Sequence, residues 1–286
     1  IIRHFDLLRA ARPVVTQLAH EEDGEPYRVW KLDCGGAVYL LKEAKEYEAE
    51  VYRAILPKVG GSVPALYQTA DIDGKTYLLM EFVEGSDLPR CSRRGQTLAL
   101  DALIYMQKAT WNDGALSGCA YTFEKSLKDR EHRGKYLNDA WLEAAYAVFL
   151  DEYASVPRAL CHDDLLPFNV LVSEDRAVLI DWEFAGILPS PASFARLIAH
   201  GEEDENAFFY MTQADREFAI QYYYDNLLKE MGIASEEWRR TLERFPLYEY
   251  CEWVFLGNKY GEVNEGYYRK YLALAKRQAE KILRMR

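Results

Sequence analysis

Asp164, Asn169 and Asp181 lie within one stretch that reads as two short strands. The first part runs Leu160-Cys-His-Asp-Asp-Leu-Leu-Pro-Phe-Asn-Val-Leu-Val172, and the second Ala177-Val-Leu-Ile-Asp-Trp-Glu-Phe184. Apolar runs at 170–172 and 177–180 flank a turn at 173–176, the pattern of a β-hairpin. The paired ends of a hairpin meet, so Asn169 and Asp181 are brought together. An amide oxygen and a carboxylate there suit Mg²⁺, which takes one or two protein carboxylates together with phosphate oxygens. Asp164, on the loop leading into the hairpin, is placed to orient a hydroxyl and accept its proton. Either segment alone could be no more than a polar strand end; both at this spacing favour the chemical reading.

Two regimes of sequence must position these groups. Up to about residue 84, strand signals dominate: Arg28-Val-Trp-Lys-Leu32, Ala37-Val-Tyr-Leu-Leu41 and Lys75-Thr-Tyr-Leu-Leu-Met80, with turns at Cys34-Gly35-Gly36 and Asp73-Gly74. One helix is expected between them at roughly 45–57. After Gly85 the apolar spacing is helical over 96–111, 122–154, 190–200, 214–231 and 235–283. The expected class is α+β, with an amino-terminal lobe at 1–84, a catalytic and substrate-binding lobe at 85–286, and Glu84-Gly85-Ser86 as the hinge.

The helix after the second strand run carries an informative acid. Glu48 precedes Val51, Tyr52 and Ile55 by three, four and seven residues, so it shares their inward face. An inward carboxylate is costly without a cation. Lys42, at the end of the preceding strand, can supply one; Glu50 is the alternative partner.

The segments His162-Asp163-Asp164…Asn169 and Ile180-Asp181 resemble the signature of the aminoglycoside phosphotransferase and choline kinase group, distant relatives of protein kinases. In that group His-x-Asp-x-x-x-x-Asn is followed by a strand ending in Ile-Asp. The resemblance implies a two-lobed, protein-kinase-like fold with an antiparallel sheet and one helix in the first lobe. It implies Asp164 as the catalytic base, Asn169 and Asp181 as Mg²⁺ ligands, and ATP or GTP as phosphoryl donor. It further implies that Lys42 contacts the α- and β-phosphates, paired with Glu48. The backbone from Glu81 to Val83 would meet the purine, and Glu183 matches an Ile-Asp-x-Glu variant. Two features depart from the pattern. The phosphate-covering loop, expected within residues 18–28, has one glycine and four acids. Ser193-Phe194-Ala195 stands where the group commonly shows Asp-Leu-Ala.

Between Asp181 and the helix beginning near Pro191 there is no room for a peptide-docking activation segment, so a small acceptor is expected. The carboxy-terminal helices are rich in aromatics, and Glu249, Glu252 and Trp253 fall on one helix side. Carboxylates beside an indole suit an ammonium group, and the segment resembles the tail of choline and ethanolamine kinases. Ordinary core packing reads the same aromatics equally well. A choline- or ethanolamine-like alcohol is therefore the favoured acceptor. An aminoglycoside, held by such acids or by the run at 202–205, is the alternative; methylthioribose, thiamine and homoserine stay open. A catalytically silent binding protein of the same fold is the reading from outside enzymology.

Composition removes other classes. A net charge of −11 supplies no basic stripe for nucleic acid. The cysteines (Cys34, Cys91, Cys119, Cys161, Cys251) are scattered, without a C-x-x-C pair, so neither a disulfide framework nor structural zinc is expected. No apolar run is long enough for a membrane span, and residues 1–12 lack a signal-peptide core. A cytoplasmic location is the expectation. His162 is expected to pack against the metal-binding strand, and Cys161 to be a small core residue.

Overall fold

The structure, a computed structural model, describes the chain apart from residues 10, 20–23, 89–91, 205–206, 208, 262 and 286. Part of the acidic phosphate-covering loop, Glu205 and Cys91 thus lie outside the described residues. The amino-terminal half forms a five-stranded antiparallel sheet of β1 (Val14–Ala19), β2 (Pro26–Asp33), β3 (Val38–Glu43), β4 (Leu66–Ile72) and β5 (Lys75–Glu81), ordered β1-β2-β3-β5-β4. Both expected turns are present. Gly35 takes φ +75° and donates its N–H to Asp33 Oδ1 at 2.8 Å, closing β2 onto β3. Asp73 and Gly74 both take positive φ, as a two-residue hairpin with the strands' twist requires.

The helix between β3 and β4 has three parts: α1 (Glu48–Glu50), a π-helical turn (Val51–Ile55) and a 3₁₀ turn (Leu56–Val59). Its inward face is the one the spacing predicts, with Glu48, Val51, Tyr52 and Ile55 all buried.

The second half is mainly helical: α2 (Arg93–Ala109), α3 (Phe123–Gly134), α4 (Ala140–Ser155), α5 (Pro191–Ala199), α6 (Gln213–Tyr223), α7 (Ser235–Tyr260) and α8 (Glu265–Arg284). Two expected long helical runs are each broken in two. Asn138 at φ +56° precedes Asp139, whose carboxylate accepts from the Trp141 and Leu142 N–H groups and starts α4. Gly261 at φ +68° ends α7, and Asn264 caps α8 through the Tyr267 N–H. Among the described residues no helix is long and apolar enough to cross a membrane.

The expected hairpin is present as β7 (Val170–Val172) and β8 (Ala177–Leu179), with Val170 opposite Leu179. Beside it lies a ribbon that alternation did not reveal, β6 (Arg158–Cys161) with β9 (Gly186–Pro189). All of β9 is buried, so it lacks the polar–apolar rhythm of a half-exposed strand. A Cβ at Gly186 would stand 2.0 Å from Tyr121 O, which explains a glycine there.

The link between the halves is pinned. Ser86 and Val172 exchange backbone hydrogen bonds at 3.1 and 2.8 Å, and a Cβ on Gly85 would come 2.8 Å from Val172 O. One apolar cluster runs from Val51, Ile55, Leu78 and Met80 through Leu100 and Leu103 to Leu179 and Trp182. That shared core fixes the sheet relative to the hairpin.

Candidate active site

Lys42 is next to last in β3, with its side chain turned inward. Its Nζ donates to Glu48 Oε1 at 2.6 Å and to Asp181 Oδ1 at 2.5 Å. Burial works against the ammonium, but Glu48 and then Asp181 outweigh it, and the Lys42 pKa is raised. The cation is therefore held in place and charged. The alternative partner Glu50 is exposed.

Asp181 follows β8 in the left-handed region, at φ +65°. That twist turns its carboxylate away from the hairpin's continuation and toward Lys42. Burial pushes its pKa up, yet the charge and hydrogen bond of Lys42 bring it below the ordinary aspartate value. The hairpin ends meet as expected, through the Ile180 N–H donating to Asn169 O at 3.0 Å. The Asn169 side-chain nitrogen is tied to Asp164 O at 2.8 Å, which assigns its amide oxygen to the opposite side. Among the described residues neither Asn169 Oδ1 nor Asp181 Oδ2 has a protein hydrogen-bond partner. Two free oxygens of this kind fit Mg²⁺ completed by phosphate oxygens.

His162, fully buried, donates from Nε2 to Ile180 O at 2.6 Å and packs on Trp182 at 4.7 Å. Burial lowers its pKa, so it is a neutral spacer that fixes the strand before Asp181. Ser193, which stands where the group resembled in sequence commonly has an aspartate, accepts the His162 backbone N–H at 2.9 Å. The departure in sequence still secures the loop.

Asp164 is partly exposed, and burial raises its pKa against the opposing charge of Arg196. Arg196 donates to Asp164 Oδ1 from both Nε and Nη2, at 3.1 and 2.8 Å. Oδ2 has no protein partner among the described residues. The same guanidinium reaches Glu249 Oε2 at 2.8 Å and Glu252 Oε2 at 2.6 Å. Arg133 also bonds Glu252, and donates to Tyr248 OH at 2.6 Å. Next to Asp164, Asp163 sits at φ +60° and pairs with Arg130 at 2.6 Å; Arg130 is buried between the rings of Tyr153 and Tyr248.

The remaining predicted residues lie as follows. The Glu81 N–H donates to Ala65 O at 2.8 Å, while its carboxylate accepts from Ala65 N–H and Arg176. Val83 is half-buried on the segment beyond β5. Glu183 faces Lys45 at 3.4 Å. Trp253 stacks on Tyr271 with ring centres 5.1 Å apart. The structure thus gathers Lys42, Glu48 and Asp181 into one cluster, and Asp164, Glu249 and Glu252 into another.

Sequence reasoning missed Arg196, the residue that joins the second cluster. The signal was available: it is the single charged residue in α5, whose other positions are all buried. A guanidinium held in an apolar helix demands carboxylates, and Glu249 and Glu252 meet it.

Comparison with known proteins gives a consistent picture. A family model described as "Phosphotransferase enzyme family" matches residues 15–227. Protein LicA of Haemophilus influenzae is 26% identical over 147 residues, 49% of this chain, and the chain spans about half (51%) of that protein's length. A choline/ethanolamine kinase family protein from Mesorhizobium loti superimposes with a TM-score of 0.66 at 16% identity, covering 100% of this chain and 97% of the other. A thermostable mutant of aminoglycoside phosphotransferase APH(4)-Ia, crystallised with ADP and hygromycin B, gives 0.60 at 16% identity, covering 97% and 96%.

Proposed function

Since this chain belongs to the phosphotransferase enzyme family, we propose that it is a small-molecule kinase that moves the γ-phosphoryl group of ATP or GTP to a hydroxyl of a small, cationic molecule. The observation that carries this reading is the bridge of Lys42 to both Glu48 and Asp181, with Asp164 on the same hairpin lead-in. In it, Lys42 steadies the α- and β-phosphates. Asn169 Oδ1 and Asp181 would hold Mg²⁺, which when bound neutralises phosphate oxygens. The backbone beyond Glu81, through Val83, borders the purine.

Asp164 aligns the acceptor through Oδ2. The acceptor oxygen forms its bond to the γ-phosphorus as the bond to the β–γ bridging oxygen breaks, and the hydroxyl proton passes to Asp164. The nucleoside diphosphate leaves with the bridging electrons. The protein's part is chiefly positioning and charge neutralisation, because the transition state is loose.

Two acceptor classes have support. A choline- or ethanolamine-like alcohol is favoured by the stack of Trp253 with Tyr267 and Tyr271, which His200 links to Glu249 by contacting both Tyr271 and that acid. An aminoglycoside is favoured equally by the structural neighbours, one of which was crystallised with hygromycin B. Retention of Lys42, Asp164, Asn169 and Asp181 together speaks against a silent binding protein. Coupled ADP release on a panel of choline, ethanolamine and amino sugars tests the reading. Turnover of any member supports the enzyme, and the preferred member assigns the class. No nucleotide turnover with any alcohol, despite tight nucleotide binding, would favour the silent protein.

A further inference from the structure

Burying a guanidinium in an apolar helix is expensive unless its donors are met by charge. In α5 this cost is offset by three carboxylates on two other elements: Asp164 after β6, and Glu249 and Glu252 on α7. Arg133 supplies a second guanidinium to Glu252, and His200 Nε2 lies 3.5 Å from Glu249. Two carboxylates on α7 therefore face two guanidiniums. While Arg196 is in place, the acidic pair offers no surplus charge to an incoming cation.

We infer that Arg196 is a resident cation of the acceptor pocket: it positions Asp164 through Oδ1 and holds the place at Glu249 and Glu252 that an acceptor's ammonium takes. This rests on the reading of Asp164 as the group that receives the acceptor's proton. It deepens that reading in two ways. The double contact to Oδ1 leaves Oδ2 as the oxygen for the hydroxyl, so the carboxylate is oriented before the acceptor arrives. An ammonium arriving at Glu249 and Glu252 competes with Nη1, while Nε and Nη2 keep their hold on Asp164. Acceptor binding and alignment of Asp164 are thereby coupled through one side chain.

A purely structural Arg196 would pack α5 on α7 and nothing more, so the test needs readouts that packing alone leaves unmoved. The probes are choline, ethanolamine and kanamycin, with 3,3-dimethylbutan-1-ol as the uncharged counterpart of choline. For the best ammonium-bearing acceptor, Arg196→Met is expected to lower KM about fivefold and kcat about tenfold. For the uncharged alcohol, KM should stay unchanged.

Arg196→Lys keeps the charge but loses the planar fork, and serves if the Met variant does not fold. It should hold KM near the wild-type value while kcat falls. Unchanged kcat in either variant, or a raised KM for the cationic acceptor in Arg196→Met, would overturn the inference. So would a wild type that phosphorylates none of the ammonium-bearing probes. Full activity of Asp164→Asn would instead remove the reading beneath it, which keeps the two failures apart.

Discussion

Lys42 Nζ stands 2.5 Å from Asp181 Oδ1 although the two are 139 positions apart in the chain. The contact joins the end of β3 to the end of the β7–β8 hairpin. With Glu48 as the second partner, the ammonium is enclosed by charge from both halves of the fold.

Replacing Lys42 therefore has two separable effects. Lys42→Met should cut kcat/KM for the nucleotide by about a hundredfold or more. It also leaves Glu48 buried without its cation, a loss of about 3 kcal/mol in stability. Chemical denaturation of the variant, beside Lys42→Met/Glu48→Gln, checks the second effect. The double variant should recover a good part of the lost stability.

Asp181→Ala and Asn169→Ala should each weaken Mg²⁺-dependent nucleotide binding. Calorimetric titration with ADP, with and without Mg²⁺, would show the wild type gaining affinity from the ion. Both variants should lose most of that gain. An undiminished Mg²⁺ effect in both would remove them as ligands.

The pH dependence follows from Asp164. Its carboxylate must be ionised to receive a proton, and burial raises its pKa over the opposing influence of Arg196. Activity is then full above that raised pKa and falls as pH drops through it. The acid limb of kcat/KM should sit above the ordinary aspartate value of about 3.9. An acid limb at or below that value would contradict the assignment of Asp164 as the base.

Much of this arrangement was legible in the sequence. The hairpin, its convergent ends and the inward Glu48 came from periodicity and spacing alone, because strand alternation and helical facing are local properties. The β6–β9 ribbon escaped because a fully buried strand carries no alternation. The breaks at Asn138 and Gly261 escaped because each depends on a left-handed residue within a longer apolar pattern. Glu249 and Glu252 were placed on one face correctly by spacing, but what faces them is Arg196, some fifty positions away. Tertiary partners of that kind have no local signature beyond an isolated charge in an apolar helix.

The ribbon supplies a stability prediction remote from the chemistry. Gly186→Ala would drive a methyl into Tyr121 O, displacing backbone rather than a flexible side chain. A loss of about 2–3 kcal/mol is expected, read as a lowered denaturation midpoint. Gly114→Ala, where an added Cβ meets nothing within 4 Å, is the matched control.

Asp164→Asn tests the central claim most directly, because the amide keeps the shape of the carboxylate and removes its capacity to take a proton. Turnover of the best acceptor and nucleotide affinity should be measured on the same preparation. The account predicts that turnover falls about 10²–10⁴-fold while nucleotide affinity stays within about threefold of wild type, since the change lies on the acceptor side. Wild-type turnover in Asp164→Asn would contradict it.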